Sequence, residues 1–148
     1  MICKTILTIL FTILLMNETA LACQPCTSTL NLEQSLKKAD LVIVGRRMDH
    51  EPNGPPYQTS TVAVFKVLKG TVIREEVLVR GWHGMCPYGI IVNDKTYLMI
   101  LQVSSEISGA YEAVDSGCSV KTLPVQSGVV SIEGKRLSLE KFKRRYKL

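Results

Sequence analysis

Residues 18–27 read ETALACQPCT, placing two cysteines, Cys23 and Cys26, directly behind a leader-like segment. Residues 1–22 carry one cation, Lys4, then the apolar run TILTILFTILLM, then small Ala20 and Ala22 on either side of Leu21. That is the pattern of a secretory signal peptide with an A-x-A cleavage site. The apolar run is shorter than the roughly 20 residues a spanning helix needs. The mature chain is therefore expected to begin at Cys23 and to fold outside the cytoplasm. Cys3 leaves with the leader. What remains must fold where thiols oxidise.

Four cysteines stay in the exported chain: Cys23, Cys26, Cys86 and Cys118. An even count in such a compartment reads as two disulfides, with three connectivities open. Cys-Gln-Pro-Cys also has rival uses. Acylation of Cys23, as in a lipoprotein, asks for Leu three residues before the cysteine and a small residue next, whereas here Leu21 stands one place too late. A thiol–disulfide oxidoreductase using Cys23 and Cys26 needs a helix after the motif, which TLNLEQSLKKAD supplies, and a βαβ unit before it, where only the leader stands. A zinc site would add His83, Cys86 or Cys118, but structural zinc ligands usually come as two close pairs and Cys118 stands alone. In an oxidising compartment disulfides are the better reading.

Residues 23–148 are the size of one domain with one modest core. Residues 23–130 hold ten Lys or Arg against ten Asp or Glu, and Lys4 of the leader is offset by Glu18, so the net charge of +5 lies in SIEGKRLSLEKFKRRYKL. Nucleic acid is not an expected partner of an exported chain. Lys141, Lys143, Arg144, Arg145 and Lys147 read first as a solvated helix face, with contact to an anionic polysaccharide or lipid surface as the functional alternative.

The hydrophobic pattern predicts a helix at about 30–39 with Leu30, Leu36 and Ala39 on one side. Strands follow in DLVIVGRRM, TSTVAVFKVLKG, EVLVRGW, KTYLMILQV, AYEAV and GVVSI, broken by the Pro- and Gly-rich MDHEPNGPPYQ and the turn GTVIRE. In the second strand Val62 and Val64, with Phe65 and Val67, mark the alternation. A last helix, SLEKFKRRYK, starts near Ser138 with Leu139, Phe142 and Tyr146 toward the core. Short strands between two terminal helices predict a mainly β fold, a five-stranded OB-like barrel, disulfide-stapled.

The order of these pieces resembles the tissue inhibitors of metalloproteinases and the wider netrin-like modules. The resemblance runs through Cys23-Gln-Pro-Cys26, the short helix, the AD-V--G pattern of KADLVIVG, then FKVLKG, CPYG with Cys86, KTYLMIL, and Cys118 in SGCSV. It covers the whole mature chain. It implies bridges Cys23–Cys86 and Cys26–Cys118, closing loops of about 64 and 93 residues, each worth about 4 kcal/mol taken alone in the chain-entropy model. It also implies a function. In the inhibitors the α-amino group and carbonyl of the first cysteine chelate the catalytic zinc of the target protease, and the next residue enters its specificity pocket. Carried over, Cys23 is the chelator, Gln24 the pocket residue and Pro25 a further contact. A terminal amine loses its proton near neutral pH, so metal coordination is chemically sound. This chain has two residues between its first cysteines where the inhibitors have one.

His50 lies among acids in a loop and reads as solvated, while His83 and Trp82 read as packing beside Cys86. The motifs of hydrolases and nucleotide-binding enzymes are missing from the sequence. The expected protein is a secreted, non-enzymatic binding module with no cofactor or metal of its own. Its sharpest function is inhibition of an extracellular zinc metalloprotease. The alternative is an extracytoplasmic module, lipid-anchored or soluble, that inhibits nothing.

Overall fold

The computed structural model describes residues 30–48, 58–81, 95–114 and 122–148. In chain order these form α1 (Leu32–Lys38), β1 (Leu41–Arg47), β2 (Gln58–Lys69), β3 (Glu76–Gly81), β4 (Tyr97–Val103) and β5 (Ala110–Ala113). Then come β6 (Thr122–Gln126), β7 (Val129–Ile132), β8 (Lys135–Ser138) and α2 (Leu139–Tyr146). The predicted Cys23, Gln24, Pro25, Cys26, Cys86 and Cys118, with His50, Trp82 and His83, lie outside the described residues.

β1 pairs antiparallel with β2 on one edge and with β4 on the other. β2 pairs with β3, β3 runs parallel to β5, and β5 pairs with β4. The circuit β1-β2-β3-β5-β4 therefore returns to β1 and closes a five-stranded barrel. The architecture is mainly β with two helices, consistent with the expected OB-like barrel. β5 and β6 follow one another along the same edge of β4, because β1 occupies the opposite edge. From β6 the chain continues as an antiparallel meander through β7 and β8.

The apolar runs LVIV and LMIL are buried on both faces. Leu41 and Ile43 of β1, with Met99 and Leu101 of β4, fill the barrel alongside Val62, Val77 and Val79. Their alternates, Val42, Val44, Leu98 and Ile100, point outward into a second core made with Leu36 of α1, Val130 of β7, and Leu139 and Phe142 of α2. Both helices thus cover one side of the barrel, and continuous rather than alternating hydrophobicity marks the covered strands. The two cores differ in what they bury: one fills a barrel, the other glues helices to its wall.

β2 departs from simple alternation. Val44 pairs with Lys66 and Gly45 with Val64, skipping Phe65, and a second shift falls between Val42 and Ile43, skipping Leu68. These bulges put Val64 and Val67 on the interior side together, turn Leu68 toward the helices, and leave Phe65 exposed. Simple alternation from Val62 therefore does not carry through Phe65 and Val67, since each bulge shifts its phase. Gly45 is required at the first shift: a Cβ there would sit 2.5 Å from the Ala63 carbonyl oxygen. β6 and β8 were not expected. Pro124 within TLPVQ disguises β6, since proline withholds a ladder donor, yet the ladder proceeds, with Val125 N–H donating to the Thr96 carbonyl at 2.9 Å.

Candidate functional site

α2 begins at Ser138, whose hydroxyl accepts from the Lys141 N–H at 3.3 Å, satisfying one donor of the first turn. Leu139 and Phe142 are buried, and Tyr146 packs its ring 4.7 Å from that of Phe142, centroid to centroid. These three anchors hold the helix on the barrel wall as the spacing predicts. Of the five predicted cations, Lys141, Arg144, Arg145 and Lys147 are exposed and Lys143 is half-buried. Lys143, Arg144 and Arg145 occupy the last turn, where cations complement the helix dipole. Glu140, in the first turn, takes a hydrogen bond from Lys66 of β2. That bond and the charge of Lys66, helped by Lys143 and Arg144, hold the Glu140 carboxyl below its ordinary value.

The fold divides these cations. Arg145 and Lys147 turn into a cleft of about 700 Å³ between α1, the β7–β8 hairpin and the end of α2, whereas Lys141, Lys143 and Arg144 do not line it. The cleft gains Lys37 from α1, Lys69 from β2 and Lys135 from β8. These three lie 10 to 110 positions from Arg145–Lys147 in a pattern no periodicity links; only the topology brings them together. Two of them are engaged. Lys37 pairs with Glu33 at 3.0 Å, and Lys69 donates to the carbonyls of Leu36 and Lys37 at 2.8 and 3.1 Å, closing the C-terminal end of α1. Among the described residues Lys135, Arg145 and Lys147 form no ion pair. The Arg145 guanidinium sits 5.7 Å from the Tyr146 ring centroid, a cation–π distance. Leu32, Ile132, Leu137 and Tyr146 form the apolar part of the cleft, each partly buried against the outer core.

A second polar group lies on the outer face of β3, β5 and β4, where the parallel β3–β5 and antiparallel β4–β5 registers set Arg80, Glu112 and Gln102 side by side. Arg80 donates to Glu112 at 3.0 Å and to Glu106 at 2.8 Å. Gln102 and Ser104 donate to Glu112 at 3.2 and 2.9 Å, and Ser104 Oγ accepts from the N–H groups of Glu106 and Ile107. Burial opposes both charges. The hydrogen bonds outweigh it, so Glu112 is held below and Arg80 above its ordinary value. None of these residues stood out in the sequence.

No protein-family model, curated protein or solved structure matches the chain. Its chemistry must be read from its own residues. Among the described residues no group of His, Cys, Asp and Glu is placed to hold a metal ion, and no helix is long and apolar enough to cross a membrane.

Proposed function

We propose that this chain is an exported, non-enzymatic binding module that docks on an anionic surface, polysaccharide or lipid, through the cations of its C-terminal helix. The observation that carries the reading is the division of labour within α2: Leu139, Phe142 and Tyr146 are spent on the barrel, which leaves the cations on the remaining faces. Such a face attracts anionic partners from solution and loses them as salt screens it. The test is retention on heparin and on anionic-lipid matrices. The parent should elute at a distinctly higher salt than a chain with Lys141, Lys143, Arg144, Arg145 and Lys147 all changed to Gln. Elution of both at the same salt overturns the reading.

A second reading is favoured by the residues that carry the resemblance to the metalloproteinase inhibitors. In this reading bridges Cys23–Cys86 and Cys26–Cys118 hold the N-terminal segment, and the Cys23 amine and carbonyl meet the zinc of a target protease while Gln24 enters its pocket. Its support is the closed barrel with a helix leading into the first strand, and the work done by the AD-V--G and FKVLKG residues within it. Asp40 Oδ2 accepts from the Val103 N–H at 2.8 Å, Lys69 closes α1, and Gly70, at φ +81°, leaves room for the Asp40 carbonyl. Those residues speak to fold, and fold alone does not assign function. Titration of zinc endopeptidases with the processed protein, beside a form carrying one extra Ala before Cys23, separates the two. The extension should weaken inhibition by several hundred-fold or more, given the strength of amine and carbonyl coordination; equal potency, or no inhibition by either, removes the reading.

A further inference from the structure

We propose that the cleft between α1, the β7–β8 hairpin and α2 binds an anionic amphiphile: one aliphatic chain carrying a phosphate or carboxylate head. The proposal rests on reading α2 as anion-facing, and it narrows that reading to a site and a ligand class.

The cleft sets two chemistries side by side. Its floor is apolar, with Leu32 of α1, Ile132 of β7, Leu137 of β8 and Tyr146 of α2 continuing the outer core toward solvent. Its rim holds Lys135, Arg145 and Lys147, which form no ion pair among the described residues. Two acids share the lining. Glu33 is already paired with Lys37, and Glu133 forms no ion pair among the described residues. The volume of about 700 Å³ falls within the range of small-molecule sites. Arg145 lies over the Tyr146 ring, so the boundary between charge and hydrocarbon runs through one pair of neighbours.

Each simpler ligand satisfies half of this lining. A hydrated polyanion neutralises the rim but leaves the floor without partners, and a neutral chain covers the floor but leaves the cations unmatched. A chain with an anionic head meets both, its head against Lys135, Arg145 and Lys147 and its methylenes along Leu32, Ile132, Leu137 and Tyr146. Phosphate and carboxylate heads share this chemistry, and the experiment separates them.

The processed chain, from Cys23 onward, is titrated calorimetrically with dodecyl phosphate and with dodecanoate, each below its micellar concentration. Inorganic phosphate, a heparin oligosaccharide and dodecyl maltoside serve as comparators. One of the two anionic amphiphiles should saturate at one per chain, and shortening it from dodecyl to decyl should weaken binding about tenfold, since two methylenes leave the apolar floor. Changing Lys135, Arg145 and Lys147 together to Gln should weaken it by about tenfold or more, as should Ile132→Thr for the floor. The chain-length series needs no variant, so it decides the matter even if a substitution unfolds the hairpin. Affinity independent of chain length, equal binding of the maltoside, or no binding of either amphiphile overturns the proposal. Heparin retention that survives such a failure leaves α2 as a docking face and removes only the amphiphile site. Loss of both removes both.

Discussion

Two groups of charged side chains lie on the outside of the same barrel and are used in opposite ways. Around Glu112 each charge is answered: Arg80, Gln102 and Ser104 converge on one carboxylate, and Glu106 takes the second arm of Arg80. The side chains of Arg80 and Glu112 are only 15% and 13% exposed. In the cleft beside α2, Lys135, Arg145 and Lys147 converge on no carboxylate among the described residues and face solvent. A closed network specifies how strands β3, β5 and β4 sit together, whereas the cations over the apolar floor add little to the fold beyond the dipole and ring contacts of Arg145. The difference teaches where to look for a partner. The first group serves the barrel, and the second is free to serve a ligand.

The comparison breaks most visibly at Arg80. Arg80→Met leaves the Glu112 carboxylate in a mostly buried place with two neutral donors, and should cost about 2–3 kcal/mol, toward the lower end for a broken buried pair because solvent reaches its edge. Replacing both residues, Arg80→Met with Glu112→Leu, should cost clearly less than the sum of the single changes, because no charge is then stranded. Urea unfolding of the three variants measures this. A loss below about 0.5 kcal/mol for Arg80→Met would place the pair among ordinary surface contacts.

A smaller effect sharpens the contrast through pH. Glu112 is held below its ordinary carboxyl value of 4.5, burial opposing and the hydrogen bonds of Gln102, Arg80 and Ser104 prevailing. A depressed carboxyl contributes stability that is fully present above the unfolded value. That contribution fades as pH falls through the lower, folded value. The stability gap between the parent and Glu112→Gln should therefore be constant from about pH 7 down to about 5.5 and narrow below about 4.5. The cleft variant keeps Glu112, so its curve should run parallel to the parent's. A gap that widens on acidification would reverse the assignment.

These two regions were not equally legible in the amino-acid sequence, and the reasons are physical. LVIV and LMIL announced buried strands because both faces of β1 and β4 are covered, and the helix pattern of Leu139, Phe142 and Tyr146 announced α2 because one face is buried there. The alternation read through Val62, Val64, Phe65 and Val67 could not show which of them face inward, because the bulges of β2 break the register. Arg80, Gln102 and Glu112 could not be grouped beforehand, since the parallel β3–β5 contact that joins them is set by barrel closure and not by local pattern. The cleft was half visible: the charge of α2 was plain, while Lys37, Lys69 and Lys135 reach it only through the fold. The residues that carried the family resemblance and lie within the described structure, Asp40, Gly45, Lys69 and Gly70, shape backbone crossings and helix ends. The residues that would carry inhibition, Cys23 and Gln24, lie outside the described residues.

The smallest expected effect is the most discriminating. Lys135→Gln, Arg145→Gln and Lys147→Gln together should change stability by no more than about 0.5 kcal/mol, because exposed charges without partners contribute little to folding. Two local terms pull in opposite directions. Relief of repulsion among three cations favours the variant, while loss of a cation in the last turn of α2 removes some of the interaction with the helix dipole, about 0.3–1 kcal/mol at low salt. Raising the salt screens both, so the gap between variant and parent should shrink toward zero. The Arg80 gap, lying in a less exposed network, should change much less. Urea unfolding at low and high salt compares them directly. A loss of 2 kcal/mol or more in the cleft variant, judged against the scale of partnered buried charges, would mean that these cations hold the fold together after all, and that α2 has no charge to spare for a partner.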